Sequence, residues 1–486
     1  MLLFDANWSL MTPEIVLAAF ALLIFTIDFM TGVKGKKPFI GRLSIVALLT
    51  TAALVVGWNG AQTASIGHMF VVDPFSTAFK VVILVGVALV IGISMYYVDR
   101  HPDMYQGEFY SLLLFATLGA MLMVSSLDLI TLFIGLEILS ISAYCLAGFR
   151  KYHKKSTESA VKYVVLGGTA SAFILYGMSF IYGLTGTTSL VDIGGQIGTL
   201  FEAYPYLVMM SLLFMIAGFG FKISVVPFHM WAPDVYEGAP TPVTAFLAAI
   251  SKVAAFAIVI RVFFIGFEGI YEEWGFLIAI VAAVTMVVGN LIALNQHNIK
   301  RLMAYSGIAQ AGYLLVPVAA FVTLDMTVSV VLFYAIAYVM MTLGAFAVIT
   351  FVTEKTGSED ILSFRGLYHR SPFLAIAMSA FLISLAGLPA TAGFTGKAWI
   401  FFQAISAGLL WLAVVMIVMS VVSFFYYFGI ISQMFMKEPD EDVVTRMSIP
   451  VSTASVVSVS LVVTIGLGFL PFLLINLFTS MNWMAF

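Results

Sequence analysis

The sequence predicts an all-α polytopic membrane protein of about fourteen transmembrane helices, with two inverted five-helix repeats in which helices 7 and 12 are broken. Three observations carry that expectation. The 486 residues are 62% hydrophobic and only 10% charged, much more apolar than a water-soluble domain. Runs of about 20 apolar residues, the length that crosses a bilayer, recur along the whole chain. The basic residues also gather in every second connector, as short cytoplasmic loops require.

On that ruler the first six spans lie near 10–30, 40–58, 70–98, 108–125, 128–148 and 160–184. The next four lie near 205–230, 241–266, 274–295 and 301–321, and the last four near 328–353, 372–403, 408–434 and 449–478. The opening stretch MLLFDANWSLMTPEIVLAAF has an acidic lead, so its apolar run reads as a retained helix. With both termini outside, the inside connectors hold sixteen of the 22 basic residues, from Lys34, Lys36, Lys37 and Arg42 to Lys437 and Arg446. Asp128, Asp192, Glu202, Glu268, Glu272, Glu273 and Asp325 fall outside. A miscounted helix would scramble this alternation.

Composition also excludes functions. The single cysteine, Cys145, rules out an intrachain disulfide and a cysteine-ligated iron-sulfur cluster. There is no zinc or haem motif, phosphate-binding loop or dinucleotide fingerprint, so no cofactor or metal is expected on this chain. The net charge of -3 gives no reason to expect a nucleic-acid partner.

Six basic residues remain inside the predicted spans: Lys80, Lys162, Lys222, Lys252, Arg261 and Lys397. Arg261 and Lys80 stand near helix ends and are expected to snorkel to the headgroups. Lys252 lies eleven residues into its span, roughly 16 Å deep, and Glu137 reaches a similar depth from the opposite side. A charge at that depth is expensive and usually marks an ion path. The competing reading is a structural ion pair locking two helices, which accounts poorly for several lysines and one deep acid. Glu158 and Lys162, at i and i+4 near the inner end, form a local pair on that reading.

The stretch FKISVVPFHMWAPDVYEGAPTPVTAFLAAISKVAAF, residues 221–256, holds Lys222 and Lys252 around a helix interruption at Pro227. A second interruption, at Pro389 and Gly393, leads at once into Lys397. Broken helices in two corresponding halves are a transporter signature. Pro227 to Pro389 is an offset of 162 residues and Lys222 to Lys397 one of 175. The expected division is 1–107 for spans one to three, 108–266 and 267–434 for the repeats, and 435–486 for the last span. His229 at the first break and His297 in a basic connector are candidate proton relays, with structural roles as the alternative. The phenylalanines and tyrosines read as packing and lipid-facing content.

Three runs carry a resemblance: residues 221–256 above, NLIALNQHNIKRLMAYSGIAQAGY and LISLAGLPATAGFTGK. Together they resemble the antiporter-like subunits of respiratory complex I (NADH-quinone oxidoreductase), and PFHMWAPDVYEGAPTPVTAF with SKVAAF resembles the subunit N branch. The resemblance covers essentially the whole chain. It implies the fourteen-helix fold with inverted repeats, and a proton axis in which Glu137 on the fifth helix pairs with Lys222 on the seventh. Lys252 and Lys397 continue that axis, and Lys162 matches a further lysine on the sixth helix. It also implies a proton-translocating membrane subunit whose FMN, iron-sulfur clusters and quinone belong to other subunits. Its expected neighbours are subunit M and the small subunits K, J and A, in a bacterial inner membrane. The alternatives are a Mrp-type cation/proton antiporter subunit and a ferredoxin-, F420- or hydrogenase-linked complex. An inert assembly scaffold is a third.

Overall fold

Within a bilayer every backbone N–H and C=O must be paired inside the protein, and the apolar runs meet this demand as helices. The computed structural model describes residues 7–32, 37–58, 64–67, 69–438 and 447–484; Lys34, Lys36 and Arg446 lie outside the described residues. The first helices are α1 (Thr12–Met30), α2 (Pro38–Trp58), α3 (Pro74–Val98), α4 (Gln106–Val124), α5 (Leu129–Ala147) and α6 (Lys154–Thr185). Then come α7 (Leu190–Ala203), α8 (Pro205–Ile223), α9 (Trp231–Gly238), α10 (Thr241–Arg261), α11 (Tyr271–Ala293), α12 (Ile299–Ala319) and α13 (Leu324–Thr356). The chain continues through α14 (Leu367–Arg370), α15 (Pro372–Ala386), α16 (Ala392–Ser406), α17 (Leu410–Met436), α18 (Val451–Phe469) and α19 (Phe472–Thr479).

Among the described residues thirteen helices are long and apolar enough to cross a membrane. The fourteenth crossing is made by α15 and α16, of 15 residues each, which meet at a break and are each too short to span alone. Several boundaries differ from the expectation by a few residues, and three of the differences have a structural cause. The third span begins at Pro74, because 64–66 and 70–72 form an antiparallel hairpin ahead of it. The connector before the seventh span folds into α7, whose Leu190, Ile193 and Ile197 share one buried stripe, the spacing of a surface helix. The last span ends at Phe469, and the separate α19 begins at Phe472, just after Pro471.

Two sets of local devices recur about 170 residues apart. Asp128 caps α5 through Ile130 and Thr131 N–H, and Asn298 caps α12 through Lys300 and Arg301 N–H. Isolated bridges join Asp128 to Ser189 and Asn298 to Asp360. Left-handed glycines end α6 and α13, Gly186 at φ 69° and Gly357 at φ 71°. Left-handed residues end α8 and α15 at the two breaks, Ser224 at φ 61° and Gly387 at φ 90°. In the first set α5 starts at the acidic end of the bundle; in the second α12 starts at the basic end.

The centre of the bundle is α10, all of whose residues are buried, packed against α3, α12 and α13. Here the snorkelling expectation fails. Arg261 is 0% exposed, its Nη2 bound to both Asp73 oxygens at 2.8 and 2.9 Å and its Nε to the Val124 carbonyl at 2.8 Å. Lys80, 3% exposed, lies 2.5 Å from Glu14 on α1. Both cations meet carboxylates brought in by distant sequence, which removes the need to reach water.

Candidate functional site

A helix that stops inside a membrane leaves its last carbonyls without partners, and the two breaks solve this differently. At the first, Ser224 turns α8 aside and the Trp231 indole donates to the Phe221 carbonyl at 2.9 Å. Tyr163 of α6 stacks on that indole with centroids 4.6 Å apart. Pro227 lies in the loop beyond. At the second, Lys397 of α16 reaches back and its ammonium donates to the carbonyls of Leu385 and Ala386 at 2.9 and 3.1 Å. The left-handed pivots there are Gly387 and Ala390, flanking Pro389. Gly393 lets α16 approach α15, since a Cβ on it would fall 1.9 Å from the Ser384 carbonyl oxygen.

Lys222 is two residues before the first pivot, whereas Lys397 follows the second by ten. The two lysines therefore do not occupy equivalent places at their breaks, and the 175-residue offset between them is not the repeat spacing. They nevertheless both present an ammonium beside a broken helix.

Around Lys222, the ammonium donates to Ser140 at 2.8 Å and, more weakly, to Tyr144 at 3.5 Å. Glu137, one turn before Ser140 on α5, accepts from Ser171 of α6 at 2.5 Å. The direct Glu137–Lys222 pair that the resemblance implied is absent among the described ion pairs; two serines stand at the ends of the two charges instead. Gly167 makes room for this arrangement, since a Cβ on it would lie 2.1 Å from the Tyr144 hydroxyl.

Lys252 is 1% exposed and donates to the Gly307 carbonyl on α12 at 2.6 Å. Lys397, 5% exposed, also touches Ser420 at 3.4 Å and lies 4.3 Å from the centre of the Tyr313 ring. Between these two lysines runs a buried polar series that sequence reading missed. Ser306, next to Gly307, bonds the Tyr427 hydroxyl. Tyr426 packs on Tyr427 with centroids 4.4 Å apart and donates to Asn290 at 3.0 Å. Asn290 donates to Tyr313 at 3.5 Å, Ser420 to Tyr313 at 3.3 Å, and Ser420 meets Lys397. Gln310 runs parallel, bonding the Tyr334 hydroxyl and the same Leu385 carbonyl that holds Lys397. The adjacent pair Tyr426-Tyr427 within an apolar span was the available signal.

The remaining candidates lie elsewhere. Lys162 is at the rim, 2.8 Å from Glu158 and 2.7 Å from Asp234, in a network that continues through Arg301, Glu237 and Lys155. The expected i,i+4 contact is thus one part of a larger cluster. His229 is half-buried with its Nδ1 unbonded. His297 is exposed at the basic end, its carbonyl accepting from Ile361 N–H at 2.9 Å.

Comparison with known proteins places this geometry. Residues 126–423 match the NADH:quinone oxidoreductase/Mrp antiporter transmembrane family. The chain is 44% identical over 483 residues to NADH-quinone oxidoreductase subunit N of Brevibacillus brevis, covering 96% of this chain and 94% of that relative. It is 41% identical over 488 residues to the protein of the same name from Bacillus anthracis, covering 98% and 96%. Among solved structures, a chain of respiratory complex I from Thermus thermophilus matches with a TM-score of 0.79 and 33% identity, over 96% of this chain and 99% of that one. A chain of the Mrp complex from Dietzia sp. shares the fold, with a TM-score of 0.84 at 20% identity over 96% and 97%.

Proposed function

The chain belongs to the NADH:quinone oxidoreductase/Mrp antiporter membrane-subunit family, in its subunit N branch, and we propose that it moves protons along Glu137, Lys222, Lys252 and Lys397. It is the antiporter-like, proton-translocating membrane subunit of an NADH-quinone oxidoreductase. In our reading quinone reduction and the redox centres belong to other subunits, and this chain sits beside subunit M on one side and the small subunits K, J and A on the other. Both termini face outward, following the charge of the connectors. The recurring caps, pivots and bridges support two inverted units, near 108–266 and 267–434.

One observation carries the reading: the three midplane lysines are held by neutral acceptors. Lys222 rests on a serine, Lys252 on a backbone carbonyl and Lys397 on two. None of the three has a carboxylate within ion-pair distance among the described residues, although Glu137 acts electrostatically on Lys222, so each can give its proton to the next acceptor. The carbonyl or hydroxyl left behind still has other hydrogen-bonding options. Displacing Glu137 relative to Lys222 changes how strongly Lys222 holds its proton, which passes towards Lys252. From there Ser306, the tyrosines and Ser420 lead to Lys397. Against a membrane potential the transfer costs about 2.3 kcal/mol per charge per 100 mV, within reach of electrostatic coupling between neighbouring groups. The test is NADH-driven proton uptake by inverted membrane vesicles carrying Lys252→Ala, with assembly checked on a native gel. Loss of uptake in an assembled complex is expected, and an unchanged proton yield per electron pair would overturn the axis.

A further inference from the structure

The eight residues of α9 lie between the first break and α10. A helix that short is marginal by itself, so its position is set by what it packs against. Its first residue, Trp231, caps the Phe221 carbonyl, one residue before Lys222. Asp234 and Glu237 follow at intervals of three, so the three side chains stand in a line along one face. Whatever holds the two acids therefore holds the cap of the Lys222 helix.

On one side that hold comes from α6. Lys162 is 2.7 Å from Asp234, Lys155 is 2.9 Å from Glu237, and Ser159 donates to the Val235 carbonyl at 3.1 Å. A Cβ on Gly238 would fall 2.4 Å from the Lys155 carbonyl oxygen, so the two helices lie close together. Both belong to the first unit, and these contacts make them one body.

The other hold crosses to the second unit. Arg301, in the first turn of α12, places Nη1 2.7 Å from Asp234 and 3.1 Å from Glu237. Its neighbour Lys300 turns instead to Glu359 at 2.7 Å and to the Ala239 carbonyl at 3.0 Å, so among the described residues the bonds from α12 to the two acids are those of Arg301. Six residues on, roughly 9 Å along the same helix, the Gly307 carbonyl holds Lys252, and Ser306 beside it opens the tyrosine series. Each acid already has a lysine of its own from α6, so neutralising them does not require Arg301. All three groups are half-exposed, where single ion pairs add little stability. What the guanidinium supplies is geometry, one rigid group bridging two carboxylates.

Resting on the lysine axis above, we propose that Arg301 is a positioning residue that couples the two ends of its Lys222–Lys252 step. Through Asp234 and Glu237 it makes α9, which caps the Lys222 helix, and α12, which holds Lys252, shift together. A displacement at the first break then reaches the Gly307 carbonyl, so the hold on Lys252 changes as Lys222 gives up its proton. A guanidinium keeps its own proton at any ordinary pH, so Arg301 takes no part in the transfer itself.

The test is the proton yield per electron pair, measured with NADH in inverted vesicles on the assembled complex. Arg301→Gln is expected to lose about the share of yield that Lys252→Ala loses, and Arg301→Lys, with its charge on a single ammonium, to recover part of it. Glu237→Cys with Arg301→Cys, in a Cys145→Ser background, removes the charges; its yield is expected to be low and to rise when a short neutral bis-thiol reagent joins the two cysteines. A wild-type yield in Arg301→Gln, including one that comes with less complex on a native gel, would reduce the residue to a stabilising contact and overturn the coupling. So would a joined pair whose yield stays low. Where Arg301→Gln does not assemble, Arg301→Lys is decisive, and a wild-type yield from it would overturn the coupling too. In each of these cases the axis stands if Lys252→Ala still lowers the yield, whereas a wild-type yield in Lys252→Ala would overturn both.

Discussion

Replacing Gly387 with alanine tests the Lys397 cradle with one methyl group. Gly387 ends α15 at φ 90°, and an L-residue in a left-handed conformation costs about 1–2 kcal/mol. The new Cβ would fall 2.9 Å from Lys397 Cδ and 3.5 Å from its ammonium. The lysine side chain must then give way, and where that draws its ammonium off the carbonyls of Leu385 and Ala386 it loses bonds of the charged kind, worth about 1.5–3 kcal/mol each. Because every 1.4 kcal/mol is tenfold, loss of even one such bond depopulates the cradled position by roughly ten- to a hundredfold. NADH-driven proton uptake by vesicles containing the assembled complex is expected to fall accordingly. Gly429→Ala on α17, where an added Cβ meets nothing within 4 Å, serves as the control and is expected to pump normally. An assembled Gly387→Ala complex with wild-type uptake would refute the claim that Lys397 works from the end of the broken helix.

Three further outcomes follow from the same geometry. Tyr427→Phe and Ser306→Ala each remove one side of the bond that starts the polar series from Lys252; each is expected to lower proton uptake, and the double variant no further than either alone. Additive losses would show that the two act separately. Ser420→Asp puts a carboxylate where the Ser420 hydroxyl is 3.4 Å from Lys397. At an effective dielectric constant near 20 such a pair gains about 4 kcal/mol, so the proton is expected to stay on Lys397 and uptake to stop in an assembled complex. Normal uptake would show that Lys397 does not pass its proton. Arg261→Met strands Asp73 in the interior, a change that typically costs about 3–5 kcal/mol; less complex on a native gel and a lower melting temperature are expected, with Asp73→Asn in the same chain recovering part of both. A wild-type melting temperature would show the pair to be dispensable.

The helices were legible because a bilayer imposes one length on every crossing, and the breaks were legible because a proline inside a helix removes a hydrogen bond and clashes one turn back. Lys222, Lys252 and Lys397 stood out for the same reason, as charges in sequence that should hold none. Pairing was not legible. Asp73 and Arg261 are 188 residues apart and meet only because α3 packs against α10, so Arg261 read as a cation that reaches for the surface. The tyrosines were lost to ambiguity, since a phenol ring in an apolar span serves packing as readily as hydrogen bonding. Only the neighbours Asn290, Ser306 and Ser420, contributed by three different helices, show that Tyr313, Tyr426 and Tyr427 belong to a polar series. The paired strands 64–66 and 70–72 and α7 were missed because each is too short to register against the length of a span.

Pairing also separates two kinds of cation among the predicted spans. Of the six basic residues within the predicted spans, Lys80, Lys162 and Arg261 meet carboxylates within 2.9 Å. Lys222, Lys252 and Lys397 meet hydroxyls and carbonyls instead. The first three are held in one charge state by a partner that would be left stranded if the proton departed. They fasten α1 to α3, α3 to α10 and α6 to α9. The second three have direct acceptors that stay neutral whether or not the proton is there, so gaining or losing it breaks no direct ion pair, and Glu137 acts on Lys222 only from beyond that contact. Guanidinium is also a poor proton donor at any ordinary pH, whereas a buried amine changes state readily. The division of labour therefore follows from chemistry as much as from position: a carboxylate partner makes a buried cation part of the frame, and a neutral one leaves it able to work.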